Sequence, residues 1–204
     1  MISKENPSKE YLEFIEAYKD LHTQDIKFLG GSLRPYIKSI DKLIKEYECK
    51  TLLDYGCGKA LPYSDKHLEV AIKAPVQKIW GIDSYTLYDP AYPKYDKLPT
   101  GKYDIVICTD VLEHIPEQDL DWVITRILNY STKIVFINVC TALALKHFKK
   151  GKLKGKNFHI SVFDENWWLQ KFKKIWEKNK DIDLYLFLSD AKDNLYTYFK
   201  KKEK

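Results

Sequence analysis

The sequence predicts an α/β protein in which helices cover both faces of a mostly parallel sheet. Short runs that are nearly all apolar alternate along the chain with stretches whose apolar residues recur at helical spacing. Strands that are apolar throughout are typical of a parallel sheet buried on both faces. The last two apolar runs, residues 184–188 and 195–199, are too close in sequence for a crossover helix, so we expect an antiparallel hairpin there.

Four segments have the periodicity of amphipathic helices. The first spans residues 7–21, with Ser8 as a candidate cap, and the second spans residues 33–47. Two further helices are expected at residues 119–130 and 165–176, each with its apolar side chains on one side. The strands that alternate with them are expected at residues 51–54, 85–88, 105–108 and 133–139.

Length and composition point to a single globular domain without a membrane span. The 204 residues fall in the single-domain range and can bury a core. The chain has no run of about eighteen apolar residues and no leading basic-then-apolar segment, so we expect a cytoplasmic protein with no membrane partner. The net charge of +5 is mild, and the four cysteines lack C-x-x-C spacing, which favours reduced thiols over disulfides or zinc.

Residues 51–59, TLLDYGCGK, carry the clearest functional signal in the chain. An apolar strand ends at an acidic residue, Asp54, and is followed by a turn that contains Gly56 and Gly58. Glycine adopts positive φ angles readily and lets a ligand approach the backbone closely. Ligands of open α/β sheets bind outside the carboxyl ends of the strands. The turn therefore predicts a site for a nucleotide-like ligand.

An acidic residue at the end of the second strand would extend this site. A carboxylate there can accept two hydrogen bonds from the hydroxyl groups of a ribose. Asp83 follows IWGI, whereas Asp89 follows SYTLY and precedes Pro90. We prefer Asp89, because SYTLY is the stronger strand signal and the proline would end that strand. Asp83 stays open as the alternative.

Three segments taken together resemble class I S-adenosylmethionine-dependent methyltransferases. They are the glycine turn, the segment KYDIVICTDVLEHIP at residues 102–116, and the closing helix with its hairpin. The LYDPAY sequence around Asp89 is similar to phage and bacterial members of type 11 or type 12. The resemblance covers residues 51–199. It implies an enzyme that transfers a methyl group from S-adenosylmethionine to an oxygen or nitrogen atom of an acceptor.

The same resemblance implies a particular sheet and domain organisation. It implies a three-layer α/β/α sandwich with a seven-stranded sheet in the order 3-2-1-4-5-7-6, in which the last strand is antiparallel. A helical extension at residues 1–50 would pack on a methyltransferase domain at residues 51–200, followed by a lysine-rich tail at residues 201–204. The stretch between Asp89 and Asp104 is shorter than in the family, so the third strand should be reduced.

S-adenosylmethionine is the cofactor that the resemblance implies. The glycine turn would accommodate its methionine part, Asp54 would lie close to its amino group, and Asp96 is a candidate for the adenine side. The full set of cofactor contacts expected from the resemblance is Asp54, Tyr55, Gly56, Cys57, Gly58, Asp89 or Asp83, Asp110 and Val111.

The motif D-x-x-E-H at Asp110, Glu113 and His114 has two interpretations. The acidic side chains could cap the following helix, because its N-terminus favours negative charge. The motif also resembles E-x-x-E-H of small-RNA 3′-terminal 2′-O-methyltransferases, in which carboxylates and histidines hold a divalent metal. His159 lies where that family supplies another histidine. We expect no metal, and we expect His159 or His114 to act as a catalytic base. The alternative is a divalent metal bound by Asp110, Glu113, His114 and His159. Mg²⁺ is suitable for such a site but is not expected.

The acceptor side of the predicted site contains His159, Trp167 and a lysine-rich segment. Trp167 is the candidate for stacking on a planar acceptor, whereas Trp168 lies on the apolar face of its helix. The segment KHFKKGKLKGK at residues 146–156 is either a solvated loop or a feature that attracts phosphate. We therefore place a small-molecule or phosphate-bearing acceptor ahead of RNA or another nucleic acid, and the sequence does not predict the oligomeric state.

Two other classes of function stay open. One is a protein that binds the cofactor without transferring a methyl group. The other is a nicotinamide-binding Rossmann protein, but Leu61 stands where G-x-G-x-x-G has its third glycine.

Overall fold

The computed structural model describes residues 2–24, 28–65, 74–179, 181–190 and 194–200. Within these ranges the chain forms an α/β fold, and none of its helices is long and apolar enough to cross a bilayer. The helices are α1 (Lys9–His22), α2 (Ile37–Glu46), α3 (Val76–Ile79), α4 (Glu117–Asn129) and α5 (Glu165–Trp176). The strands are β1 (Thr51–Tyr55), β2 (Ser84–Tyr88), β3 (Tyr103–Thr109), β4 (Ser131–Cys140), β5 (Asp183–Ser189) and β6 (Asn194–Phe199).

The described strands form one sheet in the order β2-β1-β3-β4-β5-β6. Strands β1 to β5 are parallel to one another. The backbone of β6 runs antiparallel to β5, with Leu188 opposite Leu195. Since β1 lies between β2 and β3, the chain first winds towards one edge of the sheet and then reverses towards the other. This reversal creates a crevice at the carboxyl ends of β1 and β3.

The seven-stranded sheet and the strand order 3-2-1-4-5-7-6 are wrong for the described chain. The turns between Tyr88 and Tyr103 form no strand there, because a parallel strand with its own crossover needs a dozen or more connecting residues. The antiparallel strand also lies at the sheet edge rather than inside it, since β4 pairs directly with β5 from Ile134 to Cys140. The closing part of the sheet therefore differs from the expected pattern.

Helices cover both faces of the sheet, as the all-apolar strands predict. On one face, α4 and α5 pack against residues such as Leu53, Val106 and Val135. On the other, α2 and α3 pack against Leu52 and Ile105. The strand side chains on both faces of the sheet are fully buried. Their removal from water stabilises the fold on both sides of the sheet.

The N-terminal helix α1 is fixed to this core at its first turn. Ser8 caps the helix, as predicted, because its hydroxyl oxygen accepts a hydrogen bond from the backbone N–H of Tyr11 at 3.0 Å. The backbone N–H of Ser8 in turn donates to the carboxylate of Asp119 on α4 at 3.0 Å. The capping residue therefore also joins α1 to α4.

Helix α2 begins later than its apolar pattern indicates. A short 3₁₀ helix, Gly31–Tyr36, contains Pro35 and precedes α2, which starts at Ile37. Proline has no N–H for the α-helical hydrogen bond, so the preceding turn remains outside the helix.

Substituting Gly56 with alanine should destabilise the protein strongly. Gly56 has φ +85°, and a Cβ there would lie 2.2 Å from Cγ2 of Val111, whose β-branched side chain cannot easily move away. Left-handed strain and overpacking together predict a loss of about 2 to 4 kcal/mol in unfolding free energy. Gly151→Ala is the matched control, because Gly151 has φ +71° but no atom within 4 Å of its Cβ position. Urea denaturation measures both variants. An equal loss of unfolding free energy in Gly56→Ala and Gly151→Ala would contradict the claim that Val111 crowds the Gly56 position.

Candidate functional site

A cavity of about 710 Å³ opens at the carboxyl ends of β1, β2 and β3. It lies at the point where the strand order reverses, which is where open α/β sheets bind their ligands. Its walls come from the glycine turn after β1, the residues after β2, the segment after β3, helix α1 and the loop after β4. Its volume is within the range of small-molecule and cofactor pockets.

The glycine turn forms one wall of this cavity. Tyr55, Gly56, Cys57 and Gly58 all line it, as the sequence predicts. The turn is held by the end of β2, since the N–H groups of Gly56 and Cys57 both donate to the carbonyl of Tyr88, at 2.7 and 3.1 Å. A Cβ on Gly58 would lie 2.5 Å from the backbone oxygen of Phe28, so glycine is needed here for close packing of the backbone.

Asp54 is buried behind the turn and is not among the residues that line the cavity. Burial raises the pKa of its carboxyl to about 7; the Tyr63 hydroxyl beside it acts in the opposite direction, and Asp89 adds to the increase. The carboxyl is therefore close to its titration point at neutral pH. The structure keeps it near the turn without direct access to the cavity.

The Asp54→Asn variant should remove a pH dependence of stability. Folding raises the pKa of the Asp54 carboxyl from its ordinary value of 3.8 to about 7, so ionisation opposes folding as the pH rises between these values. Relative to the variant, the wild type should lose up to about 4 kcal/mol of unfolding free energy across that window. Urea denaturation at pH 4, 5.5 and 7 measures this. Asp83→Asn is the control, because Asp83 is exposed, and it should keep the pH dependence of stability of the wild type. The same pH dependence in Asp54→Asn as in the wild type would contradict the raised pKa of Asp54.

Asp89 and Asp83 lie at opposite ends of β2. Asp89 follows the carboxyl end of the strand, lines the cavity and is nearly buried, whereas the exposed Asp83 precedes the strand and does not line it. One oxygen of the Asp89 carboxylate accepts from the N–H of Gly58 at 2.9 Å, and the other accepts from the N–H of Ala91 at 2.9 Å. Each oxygen retains a further lone pair, so Asp89 can still accept hydrogen bonds from a ligand.

The candidate for the adenine side does not reach the cavity. Asp96 is exposed in the turns after β2 and is not among the residues that line the pocket. Proximity in sequence to Asp89 is therefore not enough to place it in the site.

Asp110 and Val111 line the cavity at the end of β3. Asp110 has φ +60° and an exposed side chain, and Val111 packs against Gly56 of the glycine turn. The left-handed conformation at Asp110 ends the strand sharply and turns the chain back across the cavity. This places the carboxylate at the rim.

The helix-capping interpretation of Asp110 and Glu113 is wrong. Helix α4 begins only at Glu117, and residues Leu112–His114 form a short 3₁₀ turn before it. Glu113 is instead fully buried, and one of its oxygens accepts a hydrogen bond from the backbone N–H of Cys140 at 2.6 Å. Burial raises the pKa of the Glu113 carboxyl well above its usual range.

His114 and His159 meet at the cavity, although α4, β4 and a long loop separate them in sequence. Their ring centroids are 4.8 Å apart and the rings are nearly perpendicular. One ligand atom from each histidine and one carboxylate oxygen of Asp110 lie within 4.8 Å of one another. These three residues are the cluster in the described chain that could hold a metal ion, and the cluster does not include Glu113.

Both imidazoles are oriented through Nδ1 by backbone carbonyl groups. Nδ1 of His159 is 2.6 Å from the oxygen of Ala142, and Nδ1 of His114 is 3.0 Å from the oxygen of Phe158. Because a carbonyl only accepts, we assign the proton of each ring to Nδ1, which leaves a lone pair on Nε2. At His114 the Tyr18 hydroxyl, 2.8 Å from Nδ1, agrees with this assignment because it donates its own proton to the Phe158 carbonyl at 3.2 Å. Desolvation lowers the pKa of His114 to about 4, so this ring is neutral at pH 7.

The two tryptophans lie away from the cavity. Trp168 is fully buried in the core, as its position on the apolar helix face predicts. Trp167 stacks on Phe163 with ring centroids 3.8 Å apart and does not line the cavity. The described structure therefore does not place Trp167 where it could stack on an acceptor bound in this cavity.

The lysine-rich segment packs against α1 through its apolar residues. Phe148, Leu153 and Phe158 are buried in a cluster with Phe14. The neighbouring lysines remain exposed, and two of them reach acidic side chains of α1: Lys152 to Glu13 at 3.6 Å and Lys156 to Glu10 at 2.9 Å. At the cavity itself the segment contributes Lys146, and Phe158 follows just after the segment.

Helix α1 supplies residues that sequence reasoning missed. His22, its last residue, is buried beside Asp89, and Tyr18 lies 2.8 Å from Nδ1 of His114. Both line the cavity, together with Arg34 from the following 3₁₀ helix. Tyr18 lies on the apolar face of the predicted helix, but no local motif indicates that this face covers the site.

No family model, curated protein or solved structure gave a significant match when compared with this chain. The functional proposal therefore depends on the residues of the site.

Proposed function

We propose that the chain is an S-adenosylmethionine-dependent methyltransferase that modifies an oxygen or nitrogen atom of a small-molecule or phosphorylated acceptor. One observation carries the proposal: the cavity at the strand-order reversal is bounded by the glycine turn, by Asp89 after β2, and by Asp110 and Val111 after β3. These are the positions at which the resemblance expects the cofactor. No described residue of β5 or β6 lines this cavity.

The residues around the cavity are suited to this cofactor. The Asp89 carboxylate can accept hydrogen bonds from ribose hydroxyl groups, and residues 55–58, which include two glycines, provide a wall for the methionine part. Asp54 is near this wall but buried, so we assign it an electrostatic role behind the turn. When bound, the cofactor supplies a sulfonium methyl group that is already electrophilic, so the protein mainly has to align the acceptor.

The acceptor would enter past His159 and Lys146. The lone pair on Nε2 of His159 or His114 can remove a proton from an acceptor hydroxyl or amine. The walls also include Phe14, Phe158 and the exposed side chain of Leu145, which favour an acceptor with an apolar part. Lys146 is suited to a phosphate group on the same molecule.

Calorimetric titration with S-adenosylmethionine, S-adenosylhomocysteine and NAD tests the proposal. We expect the first two to bind with micromolar dissociation constants and NAD not to bind. Binding of NAD alone would reject the methyltransferase assignment. Binding of the two sulfur compounds without methyl transfer to any tested acceptor would favour the rival class, a cofactor-binding protein without transferase activity.

A metal-assisted version, such as a 2′-O-methyltransferase acting on RNA, is a second candidate that the Asp110, His114 and His159 cluster favours. Nδ1 hydrogen bonds to carbonyl oxygens are typical of histidines that bind metals through Nε2. Two imidazoles and one carboxylate fit Mn²⁺, Fe²⁺ or Zn²⁺ better than Mg²⁺, which prefers oxygen ligands. Such an ion would lower the pKa of an acceptor hydroxyl bound to it. Glu113 does not fit as a ligand, because it is fully buried and bound to Cys140.

A further inference from the structure

His22 lies beside Asp89 in an aromatic sandwich at the cavity wall. Its ring centroid is 4.8 Å from that of Phe28 and 5.0 Å from that of Tyr92, and it stacks on Tyr92 at an interplanar angle of 24°. The side chain is only 4% exposed, and Nε2 is 3.8 Å from Oδ1 of Asp89. The two neighbouring rings fix the orientation of the imidazole, so Nε2 stays directed at this carboxylate.

The surroundings of the two nitrogens assign the tautomer of His22. Nδ1 is buried and has no hydrogen-bond partner among the described residues. A buried N–H without an acceptor is rare and costly, whereas a proton on Nε2 is attracted by the Asp89 carboxylate. Burial also lowers the pKa of His22, which favours the neutral ring with one proton. In this tautomer the Nε2–H group of His22, a hydrogen-bond donor, lies next to the Asp89 carboxylate, an acceptor.

The donor and the acceptor are too far apart to bond directly. At 3.8 Å, Nε2 and Oδ1 exceed the usual hydrogen-bond distance, but an oxygen about 2.8 Å from both atoms would complete the triangle. A ligand hydroxyl fits this position, because it can donate its proton to Asp89 and accept the proton of His22. A carbonyl or ether oxygen could not donate to Asp89, and an ammonium group could not accept from His22.

We propose that His22 and Asp89 together bind one ribose hydroxyl of the nucleoside cofactor, so that α1 completes the cofactor site with a donor that Asp89 cannot provide. The identity of the nucleoside rests on the proposed function, but the hydroxyl specificity would hold for any ribose-containing ligand. His22 is then a binding residue that distinguishes a ribose from a deoxyribose.

Titration with adenosine, 2′-deoxyadenosine and 3′-deoxyadenosine tests this inference. His22→Phe keeps the aromatic sandwich and removes the N–H donor, whereas His22→Gln places an amide N–H close to the position of Nε2. We expect His22→Phe to weaken adenosine binding by about 5- to 10-fold, the effect of one hydrogen bond. The deoxynucleoside that lacks the hydroxyl bound by His22 should have the same affinity for the wild type and for His22→Phe. His22→Gln should bind adenosine with an affinity within about 3-fold of that of the wild type.

The outcomes separate this inference from the proposed function. Unchanged adenosine affinity in His22→Phe would overturn the inference, as would an equal loss for adenosine and both deoxynucleosides, which would indicate a structural role. Wild-type protein that binds no adenosine would also overturn it. Wild-type protein that binds adenosine but not S-adenosylmethionine would reject the methyltransferase proposal, and the comparison of variants would still decide the role of His22.

Discussion

Replacing Asp89 with alanine should reduce affinity for S-adenosylmethionine by at least about 100-fold, because two charge-assisted hydrogen bonds to the ribose would be lost. The carboxylate is nearly buried and lines the cavity, so water would not replace these bonds fully. The change also removes the bonds to the N–H groups of Gly58 and Ala91, which hold the turn. Isothermal titration calorimetry measures the loss.

Two further variants make the result specific to Asp89. Asp89→Asn keeps one carbonyl oxygen and the size of the side chain, so we expect an intermediate loss. Asp83→Ala should bind as the wild type does, because Asp83 is exposed at the opposite end of β2. A loss of affinity in Asp83→Ala with none in Asp89→Ala would reverse the assignment. Circular dichroism and thermal unfolding check that each variant is folded.

Removing His159 should weaken metal binding strongly if the Asp110, His114 and His159 cluster is a metal site. With only three protein ligands, the loss of one imidazole should weaken Mn²⁺ or Zn²⁺ binding by about 100-fold or more. His114→Ala should have a similar effect. His147→Ala is the control, because His147 is exposed and does not belong to the cluster. Equilibrium dialysis with each ion alone measures the change.

Glu113→Gln distinguishes between the two possible ligand sets. The glutamine keeps an oxygen for the N–H of Cys140, and the buried side chain does not reach the cluster, so metal affinity should stay within about 3-fold of the wild type. A loss as large as that of His159→Ala would instead place Glu113 among the ligands, as the E-x-x-E-H resemblance suggests. A wild-type protein that binds neither ion would leave His114 and His159 as candidate bases only.

The residues that the structure places where the sequence predicts them belong to short stretches of chain. The glycine turn lines the cavity because apolar strand, acidic end and glycines are consecutive in sequence, and Gly56 is crowded by Val111 as a close turn requires. Strand propensity alone likewise places Asp89 after the carboxyl end of β2 and Asp83 before its start, and ribose binding by Asp89 stays a prediction. Local patterns were sufficient for these residues.

The features that the sequence did not reveal depend on contacts between distant segments. His22 reaches Asp89 only because α1 packs over the carboxyl ends of the strands, and it lies just beyond the predicted helix at residues 7–21. Glu113 could be interpreted as a cap or as a metal ligand because its partner, the N–H of Cys140, belongs to another strand. The order of the last strands depends on which sheet edge they join, and hydrophobic patterns do not specify that edge.

A crystal structure of the protein grown with S-adenosylhomocysteine would test the central claim most directly. We expect the ligand in the cavity at the carboxyl ends of β1, β2 and β3, with its ribose hydroxyl groups within hydrogen-bond distance of the Asp89 carboxylate and its amino acid part against residues 55–58. Ligand density elsewhere on the protein, or an empty cavity at saturating ligand, would contradict the assignment of this cavity as the methyl donor site.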